Sequence, residues 1–172
     1  MKLLKEVIKD VGPSKDYEKE ILGKVDFIID KINKKLKDGK AILGGSGAKG
    51  TWLRTFDADI FVKFNYSKYK DKSKELSDVL EKVLKKIFKK IIRLHGSRDY
   101  FQLKQSNFTF EIIPILDIKK SEQAKNITDV SPLHAKFVLK YKKLQDEMSF
   151  LRRLNFKFEK EGSKIIYEDE KI

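Results

Sequence analysis

The run GGSGAKGTWLRTFDADIFVKF, residues 44–64, decides the fold predicted for this chain. It opens with a glycine-serine turn, and eleven residues after Ser46 it reaches Asp57, the first residue of a predicted strand over 57–64. The period of two in a strand places Asp57 and Asp59 on one face and the apolar residues that alternate with them on the other. The run therefore predicts a sheet with one apolar face and one acidic face.

The patterns on either side of this run predict the remaining elements. Apolar residues at helical spacing predict helices over residues 2–11, 14–38, 71–92 and 133–154. Further strands are predicted over 41–43, 100–104 and 108–116, with a weaker one at 165–167. Ser14 and Ser131 are expected to cap the helices that follow them. This order indicates an α+β fold, a mixed sheet of about five strands backed by helices, in one domain over residues 1–156 with a charged tail over 157–172.

Composition narrows the partners that such a domain can have. The 172 residues include 39 Lys plus Arg against 26 Asp plus Glu, and a net charge of +13 favours a polyanion such as nucleic acid or an anionic membrane. The sequence has neither an apolar run of about 18 residues nor the pattern of a signal peptide, so we expect a cytoplasmic protein with no membrane partner. With no cysteine and only two histidines, any metal must be bound by carboxylates.

Three carboxylates fit that requirement. Asp57 and Asp59 share a strand face, and Glu111 lies in the neighbouring predicted strand. Hard cations such as Mg²⁺ take oxygen ligands, and two such ions held against a triphosphate activate an attacking hydroxyl and stabilise the leaving pyrophosphate. The turn at Gly45 and Ser46 adds backbone N–H groups and a hydroxyl for phosphate. The predicted cofactor is therefore a pair of Mg²⁺ ions.

Each of these features also has an ordinary explanation. A Gly-Gly-Ser sequence is commonly only a turn, and Glu111 would face solvent if its strand lay at the sheet edge. The Asp-x-Asp pair is harder to explain in this way, because aspartate is depleted in strands and two like charges on one face repel. A functional site explains the three features together, in this order along the chain, better than three separate coincidences.

The same residues carry a family resemblance. The run 44–64 resembles the signature of polymerase-β-type nucleotidyltransferases, and in detail that of archaeal class I CCA-adding tRNA nucleotidyltransferases. In that branch the turn is followed by Ala, a basic residue and Thr-Trp-Leu, matched here by Ala48, Lys49 and residues 51–53. Glu111 precedes an apolar pair and Pro like the third family carboxylate, and residues 129–134 resemble the later element Asp-x-Thr-Pro-Phe-His.

The resemblance implies a polymerase-β-like palm that transfers CMP or AMP from CTP or ATP to an RNA 3′ hydroxyl, in particular the tRNA 3′ end. It implies that the three carboxylates are the catalytic and metal-binding residues. The nucleotide contacts that it implies are Gly45, Ser46, Lys49, Ser131, His134 and Arg152. His134 is also explained as a packing or capping residue in a first helical turn.

This sequence departs from the family pattern at several positions. Lys49 stands where relatives have Arg, Ser131 where they have Thr, and Arg98 where His is expected. A Gly-x-Tyr-Gly element and the domains that select the base and grip the tRNA would lie beyond this sequence. A second subunit or a homo-oligomer is one way to supply them.

Two basic clusters offer candidate RNA surfaces. The run from Lys82 to Arg98 contains no acid and is expected to be a solvated face. The predicted last helix carries the cluster that we expect to contact the RNA backbone, Lys136, Lys140, Lys142, Lys143 and Arg153. Two other functions stay open: transfer to a protein or small-molecule hydroxyl, and a non-catalytic RNA-binding module.

Overall fold

The structure is a computed structural model that describes residues 12–52, 57–105 and 108–141. The predicted helix at 2–11, the weak strand at 165–167 and the tail from 157 lie outside the described residues. The helices are α1 Lys15–Asn33, α2 Gly45–Lys49, α3 Tyr66–Tyr69, α4 Leu76–Leu84 and α5 Ser131–Lys140. The strands are β1 Gly39–Leu43, β2 Ala58–Phe64, β3 Ile92–Leu94, β4 Tyr100–Gln105 and β5 Phe108–Leu116.

The five strands form one mixed sheet in the order β1-β2-β5-β4-β3. Strands β2 and β5 pair in parallel in the centre, and the other three pairings are antiparallel. The predicted α+β fold with a mixed sheet of about five strands is confirmed. Because β5 is central, the solvent-edge explanation of Glu111 does not hold.

The main core lies between one sheet face and the helices α1 and α4. From β2, the residues Ala58, Ile60, Val62 and Phe64 are buried in it, as the alternation predicts. Ser14 caps α1 by accepting a hydrogen bond from the Tyr17 backbone N–H at 3.2 Å. The opposite sheet face carries a smaller apolar cluster around Phe61, Ile113 and Ile115. The acidic residues lie on this same face of the sheet, next to that cluster.

The helix predicted over 71–92 is wrong at both ends. A 3₁₀ segment, Lys70–Glu75, precedes α4, and Lys72 inside it has non-helical angles of φ −120° and ψ 28°. The buried apolar stripe begins only at Leu76, and residues 71–75 have no apolar side chain to bury against the sheet. At the other end, Ile92 begins β3, the fifth strand of the sheet.

The start of α5 also differs from the prediction. Ser131 is the first residue of the helix rather than its cap, and Val130 occupies the cap position without a side-chain hydrogen bond. A 3₁₀ turn, Ile127–Val130, leads directly into α5 and replaces the capped start. The described part of α5 ends at Lys140 with Tyr141 as its C-cap, and residues 142–154 of the predicted helix lie outside the described residues. Among the described residues, no helix has the length and apolar character that crossing a membrane requires.

Candidate active site

The central parallel strand pair places two of the predicted carboxylates side by side. Asp59 on β2 and Glu111 on β5 are register partners, and both are partly buried. Asp57 is exposed and immediately precedes the first residue of β2. The buried residues Ala58 and Ile60 alternate with these aspartates, so the acidic side chains occupy the face away from the main core.

The glycine turn lies directly against Asp59. The Gly44 N–H donates to the Asp59 backbone carbonyl at 2.8 Å. Gly45 has φ +50°, and a Cβ at this position would lie 1.5 Å from Asp59 Oδ2. Gly44 is equally confined, because its Cβ would lie 2.6 Å from the Phe61 ring. Both glycines are therefore required by close approach, and the turn is built onto the acidic strand.

The helix α2 continues from this turn and carries the predicted phosphate contacts. Ser46 is buried, at 6% exposure, and Lys49 is partly exposed. Helix α5 packs against α2, so Ser131 and the exposed His134 lie on an element adjacent to the turn. The structure thus groups the turn, the carboxylates and the start of α5 on neighbouring elements, although they are far apart in sequence.

Strand β4 adds two side chains that the sequence did not single out. Gln102 is the other register partner of Glu111, and its Nε2 donates to Glu111 Oε1 at 3.0 Å. Tyr100 lies two residues earlier on the same face. Burial raises the pKa of the Tyr100 hydroxyl, and the nearby carboxylates of Glu111 and Asp57 raise it further. No residue spacing in the sequence indicates either contact, because both depend on strand pairing.

The donor set suits a hard divalent cation in its chemistry. Asp59 and Glu111 present carboxylate oxygens from adjacent strands, and the exposed Asp57 lies two residues before Asp59. Within the described residues, no three His, Cys, Asp or Glu side chains lie close enough to form a ready metal site. Mg²⁺ retains several waters and takes phosphate oxygens from its substrate, so a closed protein cage is not needed. The residues present fit such an ion.

A buried ion pair fixes the segment before α5. Arg98 Nη1 lies 2.5 Å from Asp129 Oδ1 and also donates to the Pro114 carbonyl at 3.0 Å. The same Asp129 oxygen accepts from the Leu116 N–H at 2.9 Å. Arg98 and Asp129 are both buried, at 8% and 0% exposure. The expectation of a solvated face is therefore wrong at Arg98, whose guanidinium joins the end of β5 to the turn that precedes Ser131.

The predicted RNA cluster is only partly described. Lys136 and Lys140 are exposed on α5. Beside them lie two exposed aromatic residues, Phe137 and Tyr141, whose ring centroids are 5.0 Å apart. The other predicted contacts, Lys142, Lys143, Arg152 and Arg153, lie outside the described residues.

Comparison with solved structures identifies the fold class. The chain is similar to Cid1, an RNA terminal uridylyl transferase, with a TM-score of 0.66 and 16% identity over 92% of this chain and 44% of that one. It is also similar to CdnC of E. coli MS115-1, solved with ATP, with a TM-score of 0.56 and 21% identity over 80% of this chain and 50% of that one. The fold is that of the polymerase-β-like nucleotidyltransferases.

Sequence comparison then places the chain within a family. The nucleotidyltransferase domain model matches residues 25–172, and the chain belongs to this family. The CCA-adding enzyme of Nanoarchaeum equitans is 38% identical over 81% of this chain and 35% of that protein. That of Sulfurisphaera tokodaii is 31% identical over 89% of this chain and 37% of that protein. The chain therefore spans about a third of the length of these relatives.

Proposed function

We propose that this chain is the catalytic domain of a nucleotidyltransferase that transfers CMP or AMP from CTP or ATP to an RNA 3′ hydroxyl. One observation carries this proposal: Asp59 and Glu111 are register partners on adjacent strands, and the Gly45 turn stands against Asp59. A nucleoside triphosphate needs groups that bind phosphate and carboxylates that bind cations, and here the turn that would bind phosphate is in contact with such a carboxylate.

The proposed chemistry is displacement at the α-phosphorus. The 3′ hydroxyl oxygen forms a bond to this phosphorus, the bond from phosphorus to the bridging oxygen of the β-phosphate breaks, and pyrophosphate leaves. The hydroxyl proton passes to a general base, either Glu111 or a hydroxide that a bound cation would supply. Two Mg²⁺ ions, when bound by Asp57, Asp59 and Glu111, would stabilise the negative charge on the attacking and leaving oxygens.

The remaining nucleotide contacts follow from the elements around the turn. The Ser46 hydroxyl and the Lys49 ammonium bind the triphosphate, and Lys49 does so as a point charge without the bidentate geometry of Arg. Ser131 and His134 approach the nucleotide from α5, which packs on α2. Since these groups meet only features that all triphosphates share, the chain by itself has little means of selecting the base.

We propose that the acceptor is the tRNA 3′ end. A tRNA substrate implies that the protein acts in the cytoplasm. The similarity to CCA-adding enzymes over most of the chain supports this acceptor. The exposed Lys136 and Lys140 provide contacts for RNA phosphates, and the adjacent Phe137 and Tyr141 provide faces on which unpaired bases can stack. Because the chain spans about a third of those relatives, a second subunit, a homo-oligomer or further domains would complete the grip on tRNA.

Primer extension tests the proposal. A tRNA that lacks its 3′ end is incubated with the chain and each of the four labelled triphosphates, with and without Mg²⁺. We expect label from CTP or ATP to enter the tRNA only with Mg²⁺. In separate binding titrations, the dissociation constants of the four triphosphates should differ by less than about 100-fold, or about 2.7 kcal/mol. Label that enters a protein or small molecule in place of RNA would contradict the acceptor, and no transfer to any acceptor would contradict the enzyme.

A further inference from the structure

The third carboxylate, Glu111, accepts a hydrogen bond from Gln102 on the neighbouring strand. The Gln102 amide donates to Glu111 Oε1 at 3.0 Å, and both residues are partly buried on neighbouring strands. On its other side, Glu111 has Asp59 as its register partner. Glu111 thus has an acidic neighbour on one strand and a neutral hydrogen-bond donor on the other.

This arrangement bears on how Glu111 is held. A glutamate has one more rotatable bond than an aspartate, and repulsion between like charges on adjacent strands drives its carboxylate away from Asp59. A hydrogen bond to one oxygen restricts that rotation. Because the amide of Gln102 is neutral, it does so without cancelling the negative charge, and its hydrogen bond is to Oε1 rather than to the second oxygen, Oε2. A Lys or Arg in place of Gln102 would cancel the charge that a metal ion needs.

We propose that Gln102 is a positioning residue for the divalent-cation site and acts through Glu111. This proposal rests on the proposed function, since it takes Glu111 as a cation ligand. Partners that orient metal ligands from behind contribute about 10–100-fold to metal affinity. Gln102 is expected to contribute at the lower end of that range, because it makes one hydrogen bond to one of three ligands.

The test uses Gln102→Met, which keeps the length of the side chain and removes the donor. Its matched control is Gln105→Met, the same change three residues along β4 and on the opposite face. Mn²⁺ binding to each protein is measured by the electron paramagnetic resonance signal of free Mn²⁺, and the Mg²⁺ dependence of nucleotide transfer is measured beside it. We expect Gln102→Met to weaken Mn²⁺ binding about tenfold and Gln105→Met to leave it unchanged, with unchanged melting temperatures showing that both variants fold.

A second substitution separates an effect through Glu111 from a general one. In Glu111→Asp the carboxylate is one methylene shorter and moves out of reach of Gln102. Adding Gln102→Met to this background should then have no further effect on Mn²⁺ binding, because the interaction is already lost. At saturating Mg²⁺ the single variant Gln102→Met should recover most of the wild-type kcat.

The outcomes distinguish this proposal from the function on which it rests. Mn²⁺ binding that requires Asp59 but is unchanged in Gln102→Met overturns the role of Gln102 alone. A tenfold loss that persists in the Glu111→Asp background overturns the route through Glu111. If the wild-type protein and Asp59→Ala bind Mn²⁺ equally, the metal site itself is wrong and both proposals fall.

Discussion

Two sets of acidic residues in the described part of the chain have different partners. The first surrounds Arg93 at the sheet edge, where the guanidinium lies 2.7–2.8 Å from each acid: Asp78, Glu81 and Asp99. The second lies where β2 and β5 pair, and consists of Asp57, Asp59 and Glu111. In the first group one cation is shared by three acids. In the second, Glu111 meets a neutral amide.

The difference separates charge that serves the fold from charge that serves a ligand. Arg93 joins acids from α4 and from the segment before β4, and its own pKa is raised by Asp78 first and then by the other two. A cavity of about 420 Å³ beside it is lined by Arg93, Arg98 and Asp99 among others. Arg93 pairs with Asp99 there, and Arg98 pairs with the buried Asp129. Glu111 instead accepts a hydrogen bond from the neutral Gln102 amide, which brings no positive charge to the proposed cation site.

The largest expected effect comes from removing an acid from the second group. Asp59→Ala should lower nucleotide transfer at least about 10³-fold, about 4 kcal/mol in the barrier, while the fold is kept, since Asp59 is a ligand and not a core residue. Asp78→Ala is the matched change in the Arg93 group and should leave transfer unaffected. Transfer rates in Mg²⁺ and circular dichroism spectra of both variants decide this, and an active Asp59→Ala enzyme would remove the metal assignment.

The glycine turn gives the next effect in size. Gly45→Ala should cost about 1–3 kcal/mol of stability, because an alanine is strained at φ +50° and its Cβ displaces the Asp59 carboxylate. Transfer should fall about 100-fold, through the moved ligand. Gly23→Ala on α1 is the control: beyond the backbone of its own helix and its two chain neighbours, the new Cβ would meet nothing within 4 Å, and the change should stabilise the helix by about 0.5–1 kcal/mol. Denaturant unfolding and transfer rates test both. A fully active Gly45→Ala would show that the turn does not support Asp59.

The sequence indicated the strand face of Asp57 and Asp59 but not the partners of Arg93, for a physical reason. Asp57 and Asp59 lie within one local pattern whose period of two fixes their face. The alternation of apolar residues in β2 also predicted a strand, and Gly44 and Gly45 predicted the turn before it. These signals are local, and the fold class followed from their order.

What could not be predicted depends on contacts between distant segments. The run from Lys82 to Arg98 contains no acid, yet Arg93 pairs with acids before and after it and Arg98 pairs with Asp129, 31 residues away. The helix over 71–92 was overextended because lysines suit helices and turns alike, and only the packing of Leu76 onto the sheet fixes where α4 begins. Gln102 reaches Glu111 only after β4 and β5 pair.

The next prediction compares exposed lysines on α5 with a lysine that is already paired with an acid, and the expected effect on RNA binding is smaller. Lys136 and Lys140 are exposed on α5, whereas Lys85 lies 2.6 Å from Glu81. Changing Lys136 and Lys140 together to Gln should weaken single-stranded RNA binding several-fold. The slope of log affinity against log salt should become shallower by about 1.4, since each phosphate contact contributes about 0.7. Lys85→Gln should change neither. Binding titrations across a range of salt concentrations measure both quantities, and an unchanged slope in the double variant would place the RNA elsewhere.

The smallest expected effect is on the stability that the Arg93 group gives the fold at low pH. Lys85 and then Arg93 lower the pKa of Glu81, and His95 and then Arg93 lower that of Asp99. A carboxylate with a lowered pKa in the folded state stabilises the protein at pH values above its unfolded pKa, about 4 for these acids, and this contribution is lost as the pH falls through the lowered value. The melting temperature of the wild type should therefore fall as the pH drops below about 4. Arg93→Leu should reduce that fall without abolishing it, because Lys85 and His95 still lower the two pKa values. The change amounts to a few degrees at most, since these ion pairs lie at the surface and are screened. Melting curves of both proteins between pH 7 and pH 3 measure it, and identical pH profiles would show that the guanidinium contributes nothing to the acid stability of the fold.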